Sequence, residues 1–109
     1  GAGFIARGFT GDPNGIAKLL VEAIRYPGFA LVQILSPCVT YRPEEKLWKQ
    51  QVHGVGMEPA LEPAEAARRL FADDGLSTGI FYRAALPSYP GAVRAGRSDL
   101  TAIEAEFAL

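Results

Sequence analysis

The sequence predicts an α/β fold, a partial parallel sheet with flanking helices, on three observations. The segment 29–35 is a near-continuous apolar run without period-two alternation, as expected of a strand covered on both faces. Between it and an apolar segment at 3–8 lies a stretch with helical spacing, so strand, helix and strand follow in the order of a right-handed crossover unit. Bulky residues return at 79–83 after a second helical stretch. At 109 residues, 49% of them hydrophobic, the chain is long enough for one core, and we read 1–109 as a single domain.

Each element has a local cause. After the first strand, Asp12 and Pro13 open a helix, the carboxylate accepting from orphan N–H groups and the proline presetting φ. Ile16, Leu19, Leu20 and Ala23 form its apolar stripe, and Tyr26-Pro27-Gly28 ends it. The run 29–35 is expected at the centre of its sheet, with Ser36, Pro37 and Cys38 at its carboxyl end, where ligands gather in open parallel sheets. After Pro43, Glu44 and Glu45 suit the positive end of a short helix bearing Trp48 and Val52 on one side. Residues 53–61 read as a loop. Ala67, Leu70 and Phe71 mark a helix starting at Pro63 and closed by Gly75. Residues 86–96 are a connector, and 88–109 an unassigned tail whose terminal helix, capped by Ser98 or Asp99, carries Leu100, Ile103 and Phe107 on one face.

Charge and composition exclude whole classes. Lys+Arg 11 against Asp+Glu 12 leaves no one-sided basic surface for nucleic acid. The longest apolar run is far shorter than the roughly 20 residues that cross a bilayer, so no membrane partner is expected. A single cysteine forms no internal disulfide and no leader pattern opens the text, which favours the cytoplasm. The first residue is not Met, and the chain reads as a piece of something longer.

Few residues carry a chemical signal. Cys38 is either a small buried hydrophobe or a thiolate ligand at a strand's end. Arg7 is expected in solvent, or else facing an anion on the same rim as Cys38. His53 has no second His or Cys at metal-ligand spacing, so a zinc site is unsupported. The glycines of GAGFIARG precede the apolar residues, which argues against a phosphate cradle. Trp48 with Leu47 suits core packing or a partner contact, and Arg68 with Arg69 a solvated helix face. No catalytic triad spacing is present.

Four segments, GAGFIARGFTGDP, PGFALVQILSPCVTY, LWKQQV and GIFYR, are similar in letters and spacing to the closing part of the beta subunit of 2-oxoacid:ferredoxin oxidoreductases, the 2-oxoglutarate enzymes especially. Together they reach from residue 1 to about 83, and the Ser-Pro-Cys-Val-Thr run is the most specific of them. The resemblance implies the C-terminal part of a thiamine-diphosphate-binding fold. It also implies an enzyme that oxidatively decarboxylates a 2-oxoacid to an acyl-coenzyme A and passes electrons to ferredoxin, with an alpha subunit as partner. The family holds thiamine diphosphate and magnesium through a Gly-Asp-Gly type motif and a downstream Asn. Neither is among these residues, so no catalytic or thiamine-binding residue is assigned and the chain alone is expected to be inactive. By the same resemblance Cys38 is one ligand of a 4Fe-4S cluster whose other ligands lie upstream. Arg42 departs from the family, which often has Asn or Asp there. Without upstream neighbours the first strand would leave a bare sheet edge open to self-association with a second copy. The alternative reading is a stand-alone interaction module without catalysis.

Overall fold

The structure, a computed structural model, describes residues 1–85 together with Ala105, which is helical. The connector and the caps and apolar face of the terminal helix therefore lie outside the described residues. Strand β1 (Phe4–Phe9) leads into α1 (Pro13–Arg25) and β2 (Ala30–Leu35). A 3-10 turn (Pro43–Leu47), α2 (Trp48–Gln51) and β3 (His53–Gly54) follow, then α3 (Pro63–Ala72) and β4 (Ser77–Arg83). The four strands form one sheet in the order β2-β1-β4-β3.

The α/β class holds, with helices flanking the sheet, but the sheet is mixed. β1 and β2 pair in parallel from Phe4↔Ala30 to Phe9↔Leu35, as the crossover requires, whereas β4 runs antiparallel to β1. The expected central and edge positions are exchanged. β1 stands between β2 and β4, while the apolar run of β2 forms the edge and leaves Leu31 and Ile34 exposed. The bare edge expected of the first strand therefore belongs to β2.

Alternation along β1 sends its side chains to two small cores. Phe4 and Ala6 pack with Tyr26, Leu19, Ala23, Val32 and Ile80 under α1. Ile5 packs on the other face with Ala60, Ala66 and Tyr82 beneath α3. One irregularity makes this division work. Ile5 opposes Tyr82 and Ala6 opposes Ile80, so Phe81 is an extra residue in β4. That bulge lets Ile80 join one core and Tyr82 the other, which strict alternation would forbid.

Helix α1 starts as expected, with the Asp12 side chain accepting from the Gly15 N–H at 3.0 Å and Pro13 in the first turn. Tyr26 ends the helix yet is itself 6% exposed. Its ring occupies the space a Cβ on Gly3 would take, so glycine is required there. Leu20, Val21 and Ile24 stay exposed on α1, giving it a second apolar stripe beside the one it packs.

Helix α3 is rotated from its expected setting. Ala66 is buried, while Ala67 is exposed and Phe71 is 94% exposed. The stretch 53–61 is not simply a loop, because β3 pairs with β4 at His53↔Ser77 and Ala60 bridges Tyr82. Helix α3 closes before the expected Gly75: Asp73 caps it in extended conformation with its N–H on the Leu70 carbonyl, and Gly75 takes φ +83 in the turn that leads to β4. Among the described residues no helix is long and apolar enough to cross a membrane.

Candidate metal-ligand site at the carboxyl end of the sheet

The end of β2 is tied to the end of β1 by the Thr10 N–H, which donates to the Leu35 carbonyl at 3.0 Å. Pro37 has no N–H to continue the ladder, so the chain leaves the sheet and reaches Cys38. Both backbone polar groups of Cys38 are held. Its N–H donates to Glu45 Oε2 at 2.7 Å, and its carbonyl accepts the Arg42 N–H at 2.8 Å. Glu45 is 5% exposed and forms an ion pair with Arg42, whose Nε stands 3.1 Å from Oε1 while donating its hydrogen bond to Glu44 Oε1 at 3.0 Å. Cys38 is exposed, as are Val39 and Tyr41 beside it. The reading of Cys38 as a small buried hydrophobe is therefore overturned.

Glu45 was legible in sequence only as an acid near a helix start. Its long reach back to Cys38 has no local signature, since it runs from the 3-10 turn to a residue outside any regular element. Arg42, the departure from the family pattern, is the cation that faces this carboxylate.

Arg7 is neither in solvent nor on the rim. It projects from the middle of β1, with its side chain 14% exposed, and pairs with Asp73 at 2.7 Å. Nε donates to Gln33 Oε1 at 2.8 Å, and the guanidinium lies 5.0 Å from the Phe81 ring centroid. Alternation directs it to the α3 face, away from the strand ends, and its role is to join β1, β2 and the turn before β4. Beside it is a cavity of about 490 Å³ lined largely by apolar groups including Ile5, Leu31, Leu70 and Phe81.

His53 is exposed and pairs with Asp74 through Nε2 at 2.9 Å. The hydrogen bond to Asp74, then one to the Gly54 carbonyl, raises its pKa above the ordinary 6.5. His53 in turn, with the Leu76 amide, holds Asp74 below 3.8. The histidine's contribution to stability is complete below pH 6.5 and disappears as pH rises through the higher folded value. On the acid side the pair is lost as pH falls through the lowered pKa of Asp74. An NMR titration should place His53 above 6.5. Asp74→Asn should return it toward that value, and an unmoved midpoint would refute the pairing.

Trp48 is half-buried and Leu47 is exposed. Arg68 is solvated and pairs with Glu65, whereas Arg69 is mostly buried and donates to the Glu58 carbonyl at 2.6 Å as well as to Glu65. Arg68 first, then Arg69, pushes the Glu65 carboxyl down to about 2. A second cavity, of about 540 Å³, opens where β1 meets α1, with Lys18, Lys49, His53 and Thr78 on its walls. The Asp12 carboxylate already occupies the N-terminus of α1 there.

Comparison with known proteins decides the relationship. Over 108 residues the chain is 31% identical to the 2-oxoacid:ferredoxin oxidoreductase subunit beta of a Sulfolobus species, covering 84% of this chain and 35% of the relative. Subunit beta of 2-oxoacid:ferredoxin oxidoreductase 2 from Aeropyrum pernix is 31% identical over 94 residues, covering 72% of this chain and 30% of the relative. The chain is a relative of the 2-oxoacid:ferredoxin oxidoreductase beta subunits. Its fold agrees: the 2-oxoglutarate:ferredoxin oxidoreductase from Magnetococcus marinus, solved with 2-oxoglutarate, coenzyme A and succinyl-CoA bound, superposes with a TM-score of 0.64 at 28% identity. That match covers 80% of this chain and 31% of the other. This relative of the beta subunits thus spans about a third of the length of the curated relatives it matches. No family model matches it.

Proposed function

We propose that the chain is the part of a 2-oxoacid:ferredoxin oxidoreductase beta subunit that follows the thiamine-diphosphate and magnesium motif, and that Cys38 supplies one thiolate to a 4Fe-4S cluster. The whole enzyme, in the cytoplasm, would decarboxylate a 2-oxoacid oxidatively, form the acyl-coenzyme A and reduce ferredoxin. The substrate-bound Magnetococcus marinus structure favours 2-oxoglutarate as the acid. One observation carries the reading: the Ser-Pro-Cys-Val-Thr-Tyr run leaves an exposed cysteine, fixed through its own backbone, at the sheet end where cofactors gather.

A thiol is the donor that an iron-sulfur cluster takes, and Cys38 is an exposed one. Among the described residues no three His, Cys, Asp or Glu side chains converge for a metal, so Cys38 would act as one ligand with companions from other segments. When bound, the cluster supplies one-electron transfer toward ferredoxin. The chain's own part is to hold the ligand backbone still and leave the residue open to the rest of the subunit.

The test uses the complete subunit, purified without oxygen. Cys38→Ser should remove most of its iron and the broad visible absorption of the cluster, while the far-UV spectrum stays as it was. Full iron content in that variant would sink the ligand role.

The exposed β2 edge and the apolar residues Leu31 and Ile34 beside it favour association in the 109-residue chain, through the surface that the rest of the subunit or the alpha subunit would cover. Sedimentation should show self-association that rises with concentration, and a lysine at Leu31 should weaken it. A strict monomer at every concentration would contradict this.

A further inference from the structure

We propose that Glu45 is the positioning residue for Cys38: its buried carboxylate sets the cysteine's backbone and holds the cluster toward its oxidised state. The inference rests on the reading of Cys38 as an iron ligand and goes beyond it to a group that touches no metal.

The observation behind it is a mismatch in exposure. Cys38 and Arg42 are both exposed, yet the carboxylate between them is 5% exposed. A carboxylate withdrawn from water is costly unless it is paired and hydrogen-bonded. Here it accepts the Cys38 N–H at 2.7 Å and is ion-paired with Arg42, whose Nε stands 3.1 Å away and donates to Glu44. The ring is closed by the Arg42 N–H on the Cys38 carbonyl at 2.8 Å and the Glu45 N–H on the Arg42 carbonyl at 3.0 Å. Residues 38–45 are thus pinned by contacts that begin and end on the cysteine. Groups that orient a metal ligand through such hydrogen bonds matter almost as much as the ligand itself.

Two electronic consequences follow from the same contacts. The Cys38 amide is committed to an oxygen, so it is not free to donate to a sulfur. Glu45 and Glu44 also share the single guanidinium of Arg42, which leaves a net negative charge beside the ligand's backbone. Net charge and hydrogen bonds to sulfur both set cluster potentials, and both effects here disfavour adding an electron. Glu45→Gln keeps an acceptor oxygen but removes the charge, whereas Glu45→Ala removes both.

The experiment has two arms. In the 109-residue chain, labelled for NMR, Glu45→Ala should speed exchange of the Cys38 amide by about tenfold or more, the scale of a lost hydrogen bond to a charged acceptor. Amides of β1 should keep their protection, and Glu45→Gln should retain that of Cys38. In the complete subunit, Glu45→Ala should lose iron, and Glu45→Gln should keep its cluster with a raised midpoint potential. Unchanged exchange at Cys38 in Glu45→Ala overturns the proposal. So do wild-type iron content and potential in both variants when Cys38→Ser strips the cluster, a result that leaves the ligand reading standing. Retention of the cluster by Cys38→Ser defeats the ligand reading and this proposal with it. Should Glu45→Ala not fold, the potential of Glu45→Gln decides: raised supports, unchanged overturns.

Discussion

Replacing Asp73 by alanine is expected to cost about 3–5 kcal/mol of stability, the loss typical when one partner of a buried ion pair is removed. The Asp73 and Arg7 side chains are 8% and 14% exposed, and their contact is 2.7 Å. Without the carboxylate, the guanidinium would be left with the Gln33 amide oxygen, the Ser77 carbonyl and the Phe81 ring, none of which carries compensating charge. Asp73 also accepts the Gly75 N–H at 2.8 Å, so the turn leading to β4 loosens too. Urea unfolding measures the effect, and a loss under about 1 kcal/mol would mean that water already screens the pair. The double change Arg7→Met with Asp73→Leu should recover much of the loss, because no unpaired charge remains. Burial alone would raise the Asp73 pKa, but hydrogen bonds from Ser77, Arg7 and the Gly75 amide, with the charge of Arg7, hold it below 3.8. Its contribution is therefore complete above pH 3.8 and fades as pH falls through the lower folded value.

Phe4→Ala should be comparably damaging, at about 3–5 kcal/mol, because it deletes a large side chain from a packed interior that cannot close over the gap. Phe4 is 0% exposed, with its ring centroid 5.8 Å from that of Tyr26. The Arg83 guanidinium lies 5.8 Å over the same ring, so this side chain joins α1's end to the end of β4. Phe4→Leu keeps most of the volume and should cost less than half as much. Equal urea midpoints for the two variants would show that the site is not packed as described.

The elements with local causes were legible in the sequence. Asp12 and Pro13 start α1 where their chemistry says, whereas α3 closes at Asp73, two residues before the glycine expected to end it. Placement beyond neighbours in sequence was not. The apolar run of β2 states that both faces want cover, but not which strand stands beside it, so it was expected at the centre and lies at the edge. The direction of β4 depends on where the chain re-enters after α3, and no residue within it distinguishes parallel from antiparallel pairing. At the candidate site, Cys38 was singled out because an uncommon run surrounds it, and the structure leaves it exposed at the sheet end. Arg7–Asp73 joins residues 66 apart, and Glu45 turns back to an amide across an irregular segment, so neither follows from a helical or strand period.

Helix α1 has a practical corollary. Ile24 is 82% exposed and Val21 43% exposed, and neither belongs to the cluster packed around Phe4. Swapping these two for glutamate or lysine removes greasy surface without opening a hole, and charged residues cost little in helix propensity. Anyone preparing the polypeptide by itself for spectroscopy thus has two places to dress its exterior with charge, both remote in sequence from Cys38 and Glu45.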